Sequence, residues 1–306
     1  SIDKVYGITG SSLYLNENLT HSLIFQLQLN AISNIHSRVK SLLRSIMINI
    51  TDPIFVRGMS RSGGTLMVTI LDAHPEIAMS YELYPHLLAV DGDANMKKIA
   101  KIMSNSTSRF LGKDPNKKAL QTYAIRCHRG GLSLEEVGGL VEEVIFEGLH
   151  FSTLEGRMRM TEKCALLKMH KEGKKRWGMK CLSHYADYKL FWPGAYYLNM
   201  LRDGRDVLTS QLNTGNFKKS AIDVAKGWVS THRIFEQSVK RGDISGTFVK
   251  YEDLTLTPEV ELRRICDQIA ISFDHRLLDH SRENLTVFSA KHLSGNRISK
   301  KIDTKS

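Results

Sequence analysis

An α/β fold, with a mainly parallel sheet flanked by helices in three layers, is predicted by three observations. Short apolar runs bounded by turn residues alternate with stretches of helical periodicity. Most of these runs lead through a glycine or polar turn into a helix, the repeat from which parallel sheets are built. The chain has 306 residues, 42% of them hydrophobic, enough to bury the core of one large domain.

The elements follow in order. Residues 18–51 contain no Asp or Glu and set Arg38, Lys40 and Arg44 among Leu23, Leu27, Ile35, Leu42 and Ile46 at helical spacing. Residues 1–50 are therefore an amphipathic helical extension to a domain spanning 51–306. Such a helix packs on its own domain, lies on a membrane surface, binds a partner or a second copy through residues 18–50, or is a targeting remnant. Pro53 ends it, and Ile54–Val56 form a short buried strand. A glycine loop follows, then "TLMVTILDAHP", a helix stopped at His74-Pro75. "EIAMSYEL" reads as a second strand running into a turn. Residues 95–172 are mainly helical, with one helix broken at Gly138-Gly139 and a surface loop at "GKDPNKK", 112–118. "KRWGMK" is a short strand. Tyr196–Leu201 is a buried strand, followed by a polar turn and a helix. "SGTFVKYEDLTLTPEVELRRIC" repeats that scheme, with Pro258 opening the last helix.

Composition narrows the function classes. No run of about 20 apolar residues occurs, so no membrane span is expected. The net charge of +11 suits nucleic acid, a membrane surface or an anionic small ligand, or serves solubility alone. Cys127, Cys164, Cys181 and Cys266 form no C-x-x-C pair and no disulfide framework. That favours a reducing, cytoplasmic setting; a trimmed N-terminus would instead suit a Golgi or membrane-associated enzyme.

The chemistry starts at "VRGMSRSGGTLMVTI". Gly58 and Gly63 have G-x-x-x-x-G spacing and Thr65 falls where a phosphate loop has Ser or Thr, but position 64, the place of the nucleotide-triphosphate lysine, is Gly. Arg61 supplies a charge within the loop. Backbone amides at a helix N-terminus still make an anion cradle, so the loop suits a phosphate or sulfate with less charge to neutralise. Far along the chain, "RDGRDVLTS" ends a strand with Arg202 and places Ser210 two turns into the next helix, so both can reach one phosphate.

"RSGGTL" resembles the phosphosulfate loop of sulfotransferases that use 3′-phosphoadenosine 5′-phosphosulfate (PAPS), whose usual form is R-S-G-T-T-L; Gly64 replaces the first Thr. "RDGRDVLTS" resembles the family's R-D-x-R-D…S, which holds the 3′-phosphate. The resemblance implies a P-loop-like fold. It implies a cofactor site of Arg61, Ser62, Gly63, Gly64, Thr65, Leu66, Arg202 and Ser210. "RWGMK" resembles the W-G-x-K segment and points to Lys180. "VKYEDL" resembles Y-E-D-L and places Tyr251 near the cofactor. "KHLSGNRISK" resembles the covering G-N loop and adds Ser294, Gly295 and Asn296.

The implied reaction carries a sulfuryl group to an acceptor hydroxyl on a sugar, a tyrosine or a small metabolite. The product is 3′,5′-ADP, and no metal is required. Glu82, in "LDAHPEIAMSYEL", falls where the protein-tyrosine sulfotransferases carry their catalytic Glu and takes the role of base; Arg61 and Lys180 are the cations for the bridging oxygen. Cytosolic aryl sulfotransferases use a His base, which keeps His86 and His170 as alternatives. A P-loop kinase would need a lysine at position 64 and a strand ending in Asp, and neither is found. A nucleic-acid binder would need clustered cations with exposed aromatics. The only such run is "KMHKEGKKR" at 168–176, and nucleic acid is not expected as a partner.

Overall fold

A computed structural model describes residues 51–90, 95–105, 115–181, 185–213 and 220–279. The extension expected over residues 1–50 and the loop with Ser294, Gly295 and Asn296 lie outside the described residues. Five strands form one parallel sheet: β1 (Thr51–Gly58), β2 (Ile77–Ser80), β3 (Arg176–Lys180), β4 (Tyr196–Leu201) and β5 (Ser245–Lys250), in the order β2-β3-β1-β4-β5. From β1 the chain crosses to β2 at one edge, comes back inward to β3, and then passes to the other side of β1 for β4 and β5. The switch between β1 and β4 opens a crevice at their carboxyl ends, where open α/β sheets place ligands.

Period-two alternation along the strands divides the core into two layers. Ile54, Val56, Leu198, Met200 and Val249 face helices α1 (Gly64–Asp72) and α10 (Pro258–Gln268). Phe55, Trp177, Met179 and Tyr197 face the opposite layer. There the ring of Phe55 lies 5.2–5.8 Å from those of Trp177, Tyr188, Trp192 and Tyr197. This layer holds α2 (Met96–Ser104), α3 (Pro115–Arg129), α4 (Leu134–Phe146), α5 (Leu154–Lys171), α6 (Tyr185–Phe191) and α8 (Ala221–Lys240). α7 (Gly204–Leu212) follows β4, and α9 (Tyr251–Leu256) follows β5.

Three local expectations are corrected. β1 runs from Thr51 to Gly58 and includes Pro53, which precedes the continuous ladder to β4 that begins at Ile54. The surface loop expected at 112–118 has turned helical by Pro115. The third is α4, which passes unbroken through Gly138-Gly139 behind a capping box of Ser133 and Glu136. A Cβ on Gly138 would lie 2.7 Å from the Ser104 Cβ, so this glycine admits the close approach of α2.

The basic run at 168–176 is neutralised within the fold. Lys168 is 3% exposed and lies 3.3 Å from Asp72, itself 2% exposed; Glu172 bonds the same ammonium. Lys174 binds the Asp72 carbonyl and Glu172, Lys171 pairs with Glu136, and Lys175 pairs with Glu76. Arg176 donates to the carbonyls of Asp52 and Ile269. These contacts tie α5 and the start of β3 to the end of α1 and to α4.

Candidate active site

The crevice gathers residues from the carboxyl ends of all five strands. After β1 the chain turns through Met59–Gly63, and α1 begins with no side-chain cap. Its first intrahelical bond runs from the Met67 amide to the Gly63 carbonyl, 3.0 Å. The amides of Gly64, Thr65 and Leu66 thus have no carbonyl within the helix, which favours an anion there. Gly63 is required twice over: its φ is +90°, and a Cβ would stand 2.6 Å from the Tyr251 ring.

The sequence-predicted residues gather into two clusters along this loop. In the first, the Arg61 Nε donates to Ser210 Oγ (3.0 Å), and Arg202 Nη1 lies 3.4 Å from the Arg61 carbonyl. The Arg202 guanidinium lies over the Tyr251 ring, 4.4 Å from its centroid. Arg61 therefore belongs, in this geometry, with Arg202 and Ser210.

In the second cluster, Lys180 leaves the end of β3 beside Val56. A Cβ on Gly64 would touch its Cε at 3.4 Å. Its Nζ stands 3.3 Å from Thr65 Oγ1 and 2.8 Å from Glu82 Oε1. The cation missing from position 64 thus arrives from another strand. Lys180 also lies over the Tyr81 ring at 5.2 Å. The Tyr81 hydroxyl hydrogen-bonds both Glu82 and Thr65, and burial, then the charge of Glu82, push its pKa up.

Glu82 is 16% exposed at its side chain. Burial pushes its carboxyl pKa up, but the charge and hydrogen bond of Lys180, the charge of Arg126 and the bond from Tyr81 outweigh burial and hold it below the usual carboxylate value. Among the described residues, three outside glycine have positive φ, and two of them are Arg61 (78°) and Glu82 (51°). Left-handed backbone at a non-glycine residue carries strain, and here it marks one charged residue of each cluster. His86 and His170, the alternative bases, are both exposed; His86 stacks on Tyr84.

Sequence reasoning missed three residues: Tyr81, Arg126 and Trp228. Trp228 Nε1 donates to the Arg202 carbonyl at 2.9 Å, fixing the main chain beneath that guanidinium. Behind it the indole meets His232 edge to face at 4.8 Å, and Asn199 Nδ2 donates to His232 Nδ1 at 3.0 Å. His232 is buried, and burial followed by the charge of Arg57 pushes its pKa down to about 4. The folded state therefore holds a neutral imidazole that would protonate near 6.5 when unfolded. Its contribution to stability is complete above about pH 6.5 and is lost as pH falls toward about 4. Melting temperature should drop across that window, and His232→Phe should flatten the drop. An unchanged pH dependence in that variant would refute this source.

Among the described residues no group of three or more His, Cys, Asp or Glu side chains could hold a metal ion, and no helix is long and apolar enough to cross a membrane. All four cysteines are buried free thiols.

The sequence model of the sulfotransferase family matches residues 53–275. The chain belongs to the sulfotransferase family. As a sulfotransferase-family chain it is similar to protein-tyrosine sulfotransferase A of Caenorhabditis elegans, 27% identical over 246 residues, which cover 76% of this chain and 54% of that protein. It is also similar to protein-tyrosine sulfotransferase 1 of Danio rerio, 26% identical over 235 residues, 74% of this chain and 55% of that protein. The matched region is thus about half the length of these relatives. Two solved sulfotransferase domains share the fold. That of the Synechococcus PCC 7002 olefin synthase superposes with a TM-score of 0.56 at 20% identity, covering 83% of this chain and 86% of that one. That of the curacin biosynthetic pathway gives 0.52 at 17%, covering 83% and 84%.

Proposed function

We propose that this sulfotransferase-family chain transfers a sulfuryl group from PAPS to an acceptor hydroxyl, with Glu82 as the base. The observation that carries the reading is the meeting of Lys180 and Glu82 beside Thr65, at the mouth of a phosphate loop without its own lysine. The residues present fit a nucleotide with two anionic ends. Ser62 Oγ and Arg202 Nε are buried without hydrogen-bond partners, and such groups call for an acceptor. Arg202, Ser210 and Arg61 would grip the 3′-phosphate, with Tyr251 closing one side. The amides of Gly64, Thr65 and Leu66 and the Lys180 ammonium would take the phosphosulfate, and Ser294, Gly295 and Asn296 would cover the nucleotide.

PAPS supplies the sulfuryl group; the chain supplies positioning, a base and charge. Glu82 Oε1 receives the acceptor's hydroxyl proton as the acceptor oxygen bonds to sulfur. Lys180 balances the charge left on the phosphate oxygen when its bond to sulfur breaks. The relatives' names favour a protein tyrosine over a sugar or small metabolite as acceptor.

Calorimetry with 3′,5′-ADP tests the nucleotide assignment. Arg202→Ala should weaken binding about 10- to 100-fold, the loss of a charge-assisted contact of roughly 1.5–3 kcal/mol. Equal affinity in mutant and wild type would sink it. An acceptor screen with radiolabelled PAPS tests the reaction itself.

A further inference from the structure

Glu82 faces a difficulty that its pairing with Lys180 alone does not resolve. Its backbone sits in the left-handed region at the end of a short strand, followed by a 3-10 turn at Pro85–Leu88. A free glutamate there would relax. If Lys180 turns to an anionic donor, the carboxylate also loses the partner that orients it. Something else must hold both the peptide and the side chain.

Arg126 does both. It rises from α3, 44 residues along the chain, and its Nη1 donates to the Glu82 carbonyl at 2.7 Å. Its Nη2 lies 3.1 Å from Glu82 Oε2. The same carbonyl also accepts from the Tyr84 amide at 2.8 Å. The guanidinium is steadied by the Tyr84 ring, 5.1 Å below it, and its side chain is 22% exposed. Lys180 takes Oε1 and Arg126 takes Oε2, so the two cations divide the carboxylate between them.

We propose that Arg126 is the positioning residue of the base: it fastens the strained Glu82 peptide and holds Oε2, leaving Oε1 to face the acceptor when Lys180 is engaged elsewhere. This rests on the assignment of Glu82 as base. A planar fork suits the task, because one side chain must reach a carbonyl and a carboxylate oxygen at once. The charged and titratable groups around Glu82 are then Lys180 from β3, Arg126 from α3, and the phenols of Tyr81 and Tyr84, with exposed His86 stacked on Tyr84.

A double-mutant cycle separates positioning from mere structure. Arg126→Met should lower kcat about 30- to 100-fold in the wild type, yet less than about threefold in the Glu82→Gln background, where there is no base left to aim. Calorimetric affinity for 3′,5′-ADP should stay within about twofold, since Arg126 does not touch the loop. Arg126→Lys keeps the charge but not the fork, and should recover only part of the rate; it serves as the second arm should the Met variant fold poorly. A Lys variant as active as wild type, a Met variant within about threefold of wild type, or equal losses in both backgrounds would overturn the proposal. If Glu82→Gln itself keeps the wild-type rate, the base assignment falls and takes this inference with it. Loss in Glu82→Gln without loss in Arg126→Met sinks this inference alone.

Discussion

Glu82→Gln should lower kcat about 10²–10⁴-fold, the usual share of general-base catalysis, while 3′,5′-ADP affinity hardly changes. The amide keeps the shape and still hydrogen-bonds Lys180, but cannot accept the acceptor's proton. Ground-state geometry should survive because Arg126 binds the Glu82 carbonyl as well as the side chain. The residual rate comes from the anion cradle and positioning. The depressed pKa in the resting site makes Glu82 a weak base while both cations face it. Drawing Lys180 toward an anionic donor would remove the largest opposing charge and so raise the pKa of Glu82. An alkyl alcohol is far less acidic than a phenol, so the loss should be steeper for a sugar acceptor than for tyrosine. Measuring kcat and nucleotide affinity on one preparation decides it. If kcat stays within about threefold of wild type, proton removal lies elsewhere, and His86 and His170 become the residues to change.

The sheet and the loop were legible because their signals are local. Apolar runs such as Tyr196–Leu201 leave little choice but a buried strand, and the Gly58–Gly63 spacing lies within one turn of chain. The break expected at Gly138-Gly139 rested on helix propensity, about 1 kcal/mol per glycine, and tertiary packing overrode it. There, absence of a side chain is what lets α2 approach Ser104 to Gly138. The pairing of the basic run at 168–176 was not legible for a related reason: sequence shows charges but not their partners, and Asp72, Glu76 and Glu136 come from elsewhere in the chain.

The candidate site divides along the same line. Lys180, Glu82, Arg202 and Ser210 stood in short recognisable strings, whereas Arg126 is one arginine in the helix "PNKKALQTYAIRCHR". Nothing in its spacing tells which basic side chain of α3 turns inward. Trp228 is similar: the contact that matters, from its indole to the Arg202 carbonyl, involves a backbone atom and leaves no trace in residue type. Position 64 shows the converse. The loop reads as deficient in a cation, and the fold supplies one from β3 through the space that Gly64 leaves.

Lys180→Met should lower kcat about 10²–10³-fold, the range found when one preorganised electrostatic contact to developing charge is removed. Methionine keeps much of the stem length beside Gly64 and removes only the ammonium. Two consequences oppose each other. Freed from Lys180, Glu82 becomes a stronger base, its pKa rising toward the ordinary value. The charge on the leaving phosphate oxygen, however, loses its cation, and that term acts in the transition state alone. Rate should fall despite the better base, and it should fall least with the most acidic acceptors. Affinity for 3′,5′-ADP should drop less than about tenfold, because the variant leaves Arg202, Ser210 and Arg61, the proposed 3′-phosphate grip, unchanged. Stability gives an independent reading. Because the folded pKa of Glu82 lies below its unfolded value, the pair contributes stability above the unfolded value near 4.5 and loses it as pH falls through the folded one. The variant should therefore unfold more easily at neutral pH, by about 1–2 kcal/mol with Arg126 still bound to the carboxylate, and the gap should close in acid. A variant that keeps its rate, or whose stability deficit is the same at every pH, would remove Lys180 from the reaction and from the ion pair respectively.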